Sequence, residues 1–234
     1  LERILNAESV AIIGASKNET KRGYQTIRTL LDEKFEGRIY PVNPKEKSIL
    51  GVKCYKKVSD IEVPVDVALI ATPAGTLPAV LEDCGQNGVS GAVVLAGGFS
   101  EMGREGRQLE NEMVAVAKKH NIRLIGPNTS GMLNMHSNLN LVGLKDAPKG
   151  DIALLTQSGN MALTLITEAK IKSRKGFSYY VGVGNEADIK FHEYLEFFRQ
   201  DPHTKAILMY VEGLHNGREF IQQAQKTTDR KSVV

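Results

Sequence analysis

Apolar residues fall along this chain in short unbroken runs, separated by stretches where they recur every third or fourth position. The first run, Ser9-Val10-Ala11-Ile12-Ile13, ends in Gly14-Ala15-Ser16. After a polar segment, Ile27, Leu30, Leu31 and Phe35 share one helical face. An unbroken run fits a strand buried on both faces, and the spaced pattern fits an amphipathic helix. Further runs at 37–45, 65–71, 91–96 and 123–125 alternate with helical stripes such as Leu77, Val80, Leu81, Cys84 and Leu109, Met113, Val116, Ala117. The pattern predicts an α/β fold, a Rossmann-like doubly wound parallel sheet over residues 1–130. Between 131 and 149 periodicity fades among Asn134, Asn138, Asn140 and Pro148, which reads as a linker. A second alternation over 150–234 has runs at 151–155, 177–183 and 206–211. It predicts a flavodoxin-like α/β domain. A fresh apolar run at 230–234 starts a fourth strand, so this second domain is expected to be truncated and the native chain to continue.

Composition narrows the function classes. The chain has 234 residues, 41% hydrophobic and 24% charged, with a net charge of +3. That is an ordinary globular balance, too weakly basic for a nucleic-acid partner. No run is long enough to span a membrane and no leader pattern opens the chain, so a cytoplasmic protein is expected. Cys54 and Cys84 lie far apart, which suits a reducing compartment, and their spacing implies no metal.

Candidate chemistry collects where strands hand over to helices. Gly14-Ala15-Ser16 is a small-residue turn that lets a phosphate approach the backbone, although it lacks the full G-x-G-x-x-G spacing. The second run ends in Asn43-Pro44-Lys45, where a nicotinamide site would carry an acid for the ribose. A cation there points to a phosphorylated ribose, in NADP or coenzyme A, or simply to a solvated loop. Thr72-Pro73-Ala74, Gly97-Gly98-Phe99 and Asn128 add to the same rim. In the second domain Ser158-Gly159-Asn160 and Gly184-Asn185 offer two helix starts for a phosphate or carboxylate, or plain caps. Glu212 ends the third strand there. It is either a surface acid or a partner for something cationic.

Five motifs occur together and in order: Val10-Ala-Ile-Ile-Gly-Ala-Ser16, Tyr40-Pro-Val-Asn-Pro-Lys45, Leu124-Ile-Gly-Pro-Asn128, Leu155-Thr-Gln-Ser-Gly159 and Val183-Gly-Asn-Glu-Ala-Asp188. In these the chain resembles the ADP-forming acetate–CoA ligases, or NDP-forming acyl-CoA synthetases, which are similar to the succinyl-CoA synthetase alpha subunit. The resemblance implies that acyl-CoA and phosphate give acyl phosphate and CoA. The phosphoryl group then passes through a histidine to ADP on an ATP-grasp domain or subunit, with Mg. It implies that Gly14, Ala15, Ser16 and Lys17 lie near the CoA phosphates, with Asn43, Pro44 and Lys45 beside them. Thr72, Pro73, Ala74, Gly97, Gly98 and Phe99 would line the rest of the path, and Asn128 the thioester end. Ser158, Gly159 and Asn160, with Gly184 and Asn185, would meet phosphate or acyl phosphate, and Glu212 would support the histidine.

None of His120, His136, His192, His203 and His215 sits in the family's Ser-His-Thr-Gly-like loop. That loop is expected beyond Val234, and this chain alone is expected to be inactive. Acyl choice is expected to depend on the surroundings of Asn128, Gly131 and Met132, and an oligomer is expected. Two alternatives stand beside the ligase: a non-catalytic CoA- or acyl-CoA-sensing module, as in a lysine acetyltransferase fusion, and an NADP-dependent dehydrogenase.

Overall fold

The computed structural model describes residues 1–172 and 175–234. Helix α1 (Glu2–Leu5) leads into β1 (Ser9–Ile13), α2 (Arg22–Asp32) and β2 (Arg38–Val42). A small hairpin, β3 (Ser48–Ile49) and β4 (Val52–Lys53), precedes β5 (Val67–Ile70), α3 (Leu77–Asn87), β6 (Gly91–Val94), α4 (Arg104–Lys119) and β7 (Arg123–Ile125). Then come β8 (Met132–Asn134), β9 (Leu139–Asn140), β10 (Lys149–Thr156), α5 (Gly159–Lys172) and β11 (Phe177–Gly182). The remainder is α6 (Phe191–Gln200), β12 (Ala206–Tyr210), α7 (Gly217–Thr228) and β13 (Ser232–Val233).

The first sheet runs β2-β1-β5-β6-β7, every pair parallel. The second runs β13-β12-β10-β11-β8-β9, parallel except for its last two members. Alternate residues of each central strand feed different layers, as the pleat dictates. Val10, Ile12, Val67 and Leu69 join one apolar cluster with Ala153, Leu155, Tyr179 and Val181, so the two sheets share a core. Ala11, Ile13, Ala68 and Ile70 pack on the opposite face with Leu77, Leu81 and Met113 from α3 and α4. Leu154, Phe177 and Tyr180 pack against Ala162 and Ile166 of α5.

The segment 131–149 differs from the expected linker. It carries β8, antiparallel to β11, and β9, antiparallel to β8, which extend the second sheet. Asn134 and Asn140 are buried and hydrogen-bonded. The Asn134 amide donates to the Leu5 carbonyl at 3.0 Å and to Asn6 Oδ1 at 2.9 Å. Asn140 donates to Glu33 at 2.9 Å and to the Leu144 carbonyl at 2.9 Å. Polar side chains satisfied in this way break the apolar run without breaking the strand.

Asp66 ties the amino-terminal segment to β5. Its carboxylate accepts from Arg3 Nε at 2.8 Å, Ser9 Oγ at 2.8 Å and the Glu8 amide at 3.1 Å. Burial works to raise its pKa, but the hydrogen bonds from Arg3, Ser9 and Glu8 outweigh it and hold the carboxyl below the usual range. A depressed pKa stabilises the fold above the unfolded value, and that contribution is lost as pH falls through the folded one. Asp66→Ala is therefore expected to cost about 2 kcal/mol at neutral pH. Urea melts should show this gap closing in acid; a gap independent of pH would contradict the assignment.

Candidate functional site

Strand order reverses at β1. The chain leaves β1 for β2 on one side and later returns to β5 on the other. The carboxyl ends of two such strands cannot both be covered by their connections, which leaves a crevice. A cleft of about 740 Å³ opens there, with Gly14, Asn43, Pro44, Thr72 and Pro73 in its wall. Gly14 has φ +84°, and a Cβ on it would stand 2.9 Å from the Ala71 carbonyl oxygen, so no side chain is accommodated where the strands part. Asn43 pins the neighbouring loops: its amide donates to the Ala15 carbonyl at 2.6 Å, and its Oδ1 accepts from the Lys45 amide at 2.8 Å. Ser16 caps the following turn by accepting from the Asn18 amide at 3.0 Å.

The cations of the cleft are not those the sequence singles out. Lys17 Nζ pairs with Glu46 at 2.7 Å, and Lys45 contributes its backbone to the Asn43 turn. Lys56 and Lys57 are exposed in the cleft wall instead. The β3–β4 hairpin brings them there. Tyr55 returns to β2, its amide donating to the Pro41 carbonyl at 2.9 Å and its carbonyl accepting from the Asn43 amide at 2.9 Å. The acids of the same wall are already engaged. Asp83 accepts the Val58 and Ser59 amides at 2.6 and 3.1 Å, and Glu82 holds Lys119 at 2.8 Å and His120 at 3.0 Å. The bond from Lys119, then that from His120, keeps the Glu82 carboxyl below its ordinary range. The cleft wall thus carries two lysines whose neighbouring acids have other partners, together with the apolar Ile13, Val42 and Val80.

Gly97, Gly98, Phe99, Asn128, Gly184 and Asn185 meet in a second cluster. The Asn185 amide donates to Glu101 at 2.5 Å, Glu110 at 3.1 Å and Ser100 Oγ at 3.2 Å. Glu101 also accepts from the Gly98 and Phe99 amides at 2.5 and 3.1 Å. Burial acts to raise Glu101, but the bonds from Asn185 and Gly98 prevail and lower it. Asn128 Nδ2 reaches Asn185 Oδ1 at 3.4 Å. The Phe99 ring is fully buried in the core, so only its backbone belongs to this rim. Ala74 likewise packs against that core, facing the Gly98 backbone.

The second-domain loops form a third group. Ser158 caps α5, its Oγ accepting from the Met161 amide at 3.4 Å, and the Thr156 hydroxyl accepts from the Ser158 amide at 2.9 Å. The amides of Gly159 and Asn160 open α5, where no intrahelical partner exists. α6 starts only at Phe191, six residues past Asn185, so its first amides lie beyond the Gly184-Asn185 loop. Gln157 Oε1 accepts from the Glu212 and Gly213 amides at 2.6 and 3.1 Å, which sets the exposed Glu212 beside the Ser158 loop. Met132 is fully buried in the shared core. Sequence reasoning missed Lys56, Lys57, Glu101 and Arg22. The paired lysines were a visible signal; nothing in sequence marked Arg22, whose Nη2 reaches the Ser130 carbonyl at 3.0 Å across 108 positions.

These features define a doubly wound α/β protein with a crevice at its switch point and a second α/β unit sharing its core. Residues 8–135 match the CoA binding domain family and residues 149–234 the succinyl-CoA ligase like flavodoxin domain. The chain belongs to the CoA binding domain family. It is 44% identical over its whole length to the ADP-forming acetate–CoA ligase of Methanocaldococcus jannaschii, covering 32% of that protein. It is 39% identical to subunit alpha of ADP-forming acetate–CoA ligase II of Pyrococcus furiosus, covering 51%. The structure of Ca. Korarchaeum cryptofilum dinucleotide forming acetyl-coenzyme A synthetase 1, in complex with phosphate and ADP, superposes with a TM-score of 0.96 at 40% identity. That match covers 100% of this chain and 50% of the other. The chain therefore spans a third to a half of these relatives. Among the described residues, no helix is long and apolar enough to cross a membrane.

Proposed function

We propose that this chain is the CoA-binding part of a cytoplasmic ADP-forming acid–CoA ligase. Residues 1–130 would hold the coenzyme, and 150–234, with β8 and β9 on their sheet, would present phosphate or acyl phosphate. The observation that carries this reading is the switch-point cleft, whose wall combines Lys56 and Lys57 with the apolar Ile13, Val42 and Val80. Coenzyme A brings a pyrophosphate, a 3′-phosphate and an adenine, and the donor set fits those groups. Lys56, Lys57 and the Gly14 turn meet the phosphates, while Ile13, Val42 and Val80 offer an apolar face to the base. As its acyl thioester, the coenzyme would supply an acyl carbon for phosphate to attack, the C–S bond breaking to release CoA thiolate and leave acyl phosphate. Asn128 and Asn185, held by the Glu101 cluster, orient the thioester end. The amides of Gly159 and Asn160 favour the anion. Glu212 stands ready to orient a cationic ring. The complete reaction needs an ATP-grasp partner for ADP and Mg and a phosphorylated histidine, both outside this chain.

Calorimetric titration tests the reading. CoA should bind in the micromolar range, with 3′-dephospho-CoA weaker by about tenfold, one charge-assisted contact being worth roughly 1.5 kcal/mol or more. NADP should bind far more weakly than either. NADP binding as tightly as CoA, or no CoA binding, would overturn it.

A further inference from the structure

Two histidines distant in sequence lie face to face at the edge of the second sheet away from the candidate site. His136 sits in the turn between β8 and β9, and His203 in the loop between α6 and β12. Their ring centroids are 3.9 Å apart, with 18° between the planes. Strands β10, β11 and β12 begin at this edge, whereas Gly159, Gly184 and Glu212 follow their carboxyl ends. A cavity of about 340 Å³ adjoins the pair, lined also by Ser137, Tyr179 and Asp201. Rings so nearly parallel aim their nitrogen lone pairs along parallel planes, which do not converge on one metal ion. Two neutral rings stack well, and one charged ring over a neutral one is a cation on an aromatic face. Two imidazolium rings at that distance repel.

The surroundings make a second charge harder to place. Burial, then His203 and Lys149 at the head of β10, push His136 down, against Asp201 and the Gly150 backbone. His136 Nε2 is buried and has no hydrogen-bond partner among the described residues. Asp201, at the end of α6, already accepts the Thr204 hydroxyl at 2.6 Å, and Lys231, ahead of β13, donates to the Asp201 carbonyl at 2.8 Å. The Tyr179 hydroxyl donates to Asn6 at 2.9 Å and is kept neutral by burial. Glu8, Glu36 and Arg38 line a neighbouring groove that Ser137 also lines.

We propose that His136 and His203 form a proton-sensitive clasp between the β8–β9 turn and the α6–β12 loop. It is closed while at most one ring is charged and released when both are. The closed form takes up the second proton less readily than the open one. Opening is therefore disfavoured at neutral pH and gains as pH falls through the histidine range. The clasp holds the far end of β8. The near end of that strand follows Ser130, whose Cβ would stand 3.4 Å from a Cβ on Gly159. The inference does not depend on the ligase reading.

NMR titration of the imidazole signals of this chain between about pH 8 and pH 5 tests it, with hydrogen exchange of the Met135 amide followed in parallel. That amide donates to the Ser178 carbonyl at 2.9 Å and reports whether the turn stays docked on β11. The rings should titrate in two steps about one pH unit apart or more. Below the lower step, Met135 exchange, corrected for its intrinsic rate, should speed up about tenfold, as one unit of difference between closed and open forms allows. His203→Phe keeps a ring to stack on and removes one charge, so the acid-triggered exchange should vanish. His136→Phe should abolish it equally, which guards against a folding defect in either variant. Both rings titrating together at the ordinary histidine value, or exchange that still speeds up in acid with either ring replaced, overturns the clasp.

Discussion

Replacing Lys56 and Lys57 together by glutamate is expected to weaken CoA binding about a hundredfold, roughly 1.4 kcal/mol for each side chain. Both ammonium groups are exposed in the cleft, and the acids nearest them are committed elsewhere, Asp83 to the Val58 and Ser59 amides and Glu82 to Lys119 and His120. Reversal of both charges turns attraction for three phosphates into repulsion. Because the contacts are exposed, the difference between variant and unaltered chain should shrink as salt rises. Neither residue packs in the core, so thermal unfolding without ligand should be nearly unchanged. Titration at low and high ionic strength reads the effect. An affinity untouched by the double reversal would mean the coenzyme phosphates lie elsewhere.

Gly184→Ala is expected to destabilise the chain by about 3 kcal/mol. Gly184 has φ +61°, and a Cβ there would overlap the Pro127 carbonyl oxygen and lie 3.0 Å from that of Asn128. Both obstacles are backbone, with no flexible end to move aside. The same loop docks the second unit on the first: the Asn185 amide donates to the Pro127 carbonyl at 2.9 Å and that of Ala187 to Gly126 at 3.1 Å. A methyl group must therefore open this junction and loosen Asn185 from Glu101. Gly217→Ala is the matching control, since a Cβ there meets nothing within 4 Å. Denaturant melts of the two variants should differ by most of the stated cost; equal midpoints would show the junction to be pliable.

The alternating strand–helix order of the first unit, and hence its parallel sheet, was legible because Val10-Ala11-Ile12-Ile13 and its counterparts feed apolar layers on both faces. The rim positions Gly14, Asn43, Thr72 and Pro73 followed from that order, since strand ends in a parallel sheet share one edge. What escaped had a different origin. Asn134 and Asn140 made strands look like loops, because their polarity is satisfied by Leu5, Asn6, Glu33 and Leu144, partners distant in sequence or not predictable from it. Lys56 and Lys57 reach the cleft through a return of Tyr55 onto β2, a contact no periodicity announces. Arg22 belongs by sequence to the first unit and by position to a cavity beside α5. Pattern locates elements; it does not reveal which side chains a fold carries across a domain junction.

Both cysteine sulfurs are sequestered. Cys54 is turned toward the Asn43 and Tyr55 carbonyls at 3.7 and 3.8 Å, and Cys84 is fully buried on the core-facing side of α3. Burial pushes both thiols upward, so neither ionises at neutral pH. A coenzyme that arrives with a reactive sulfhydryl therefore meets no competing thiolate from this chain. Its acyl group has no protein sulfur to migrate to, and the oxidised coenzyme finds no ready partner for a mixed disulfide.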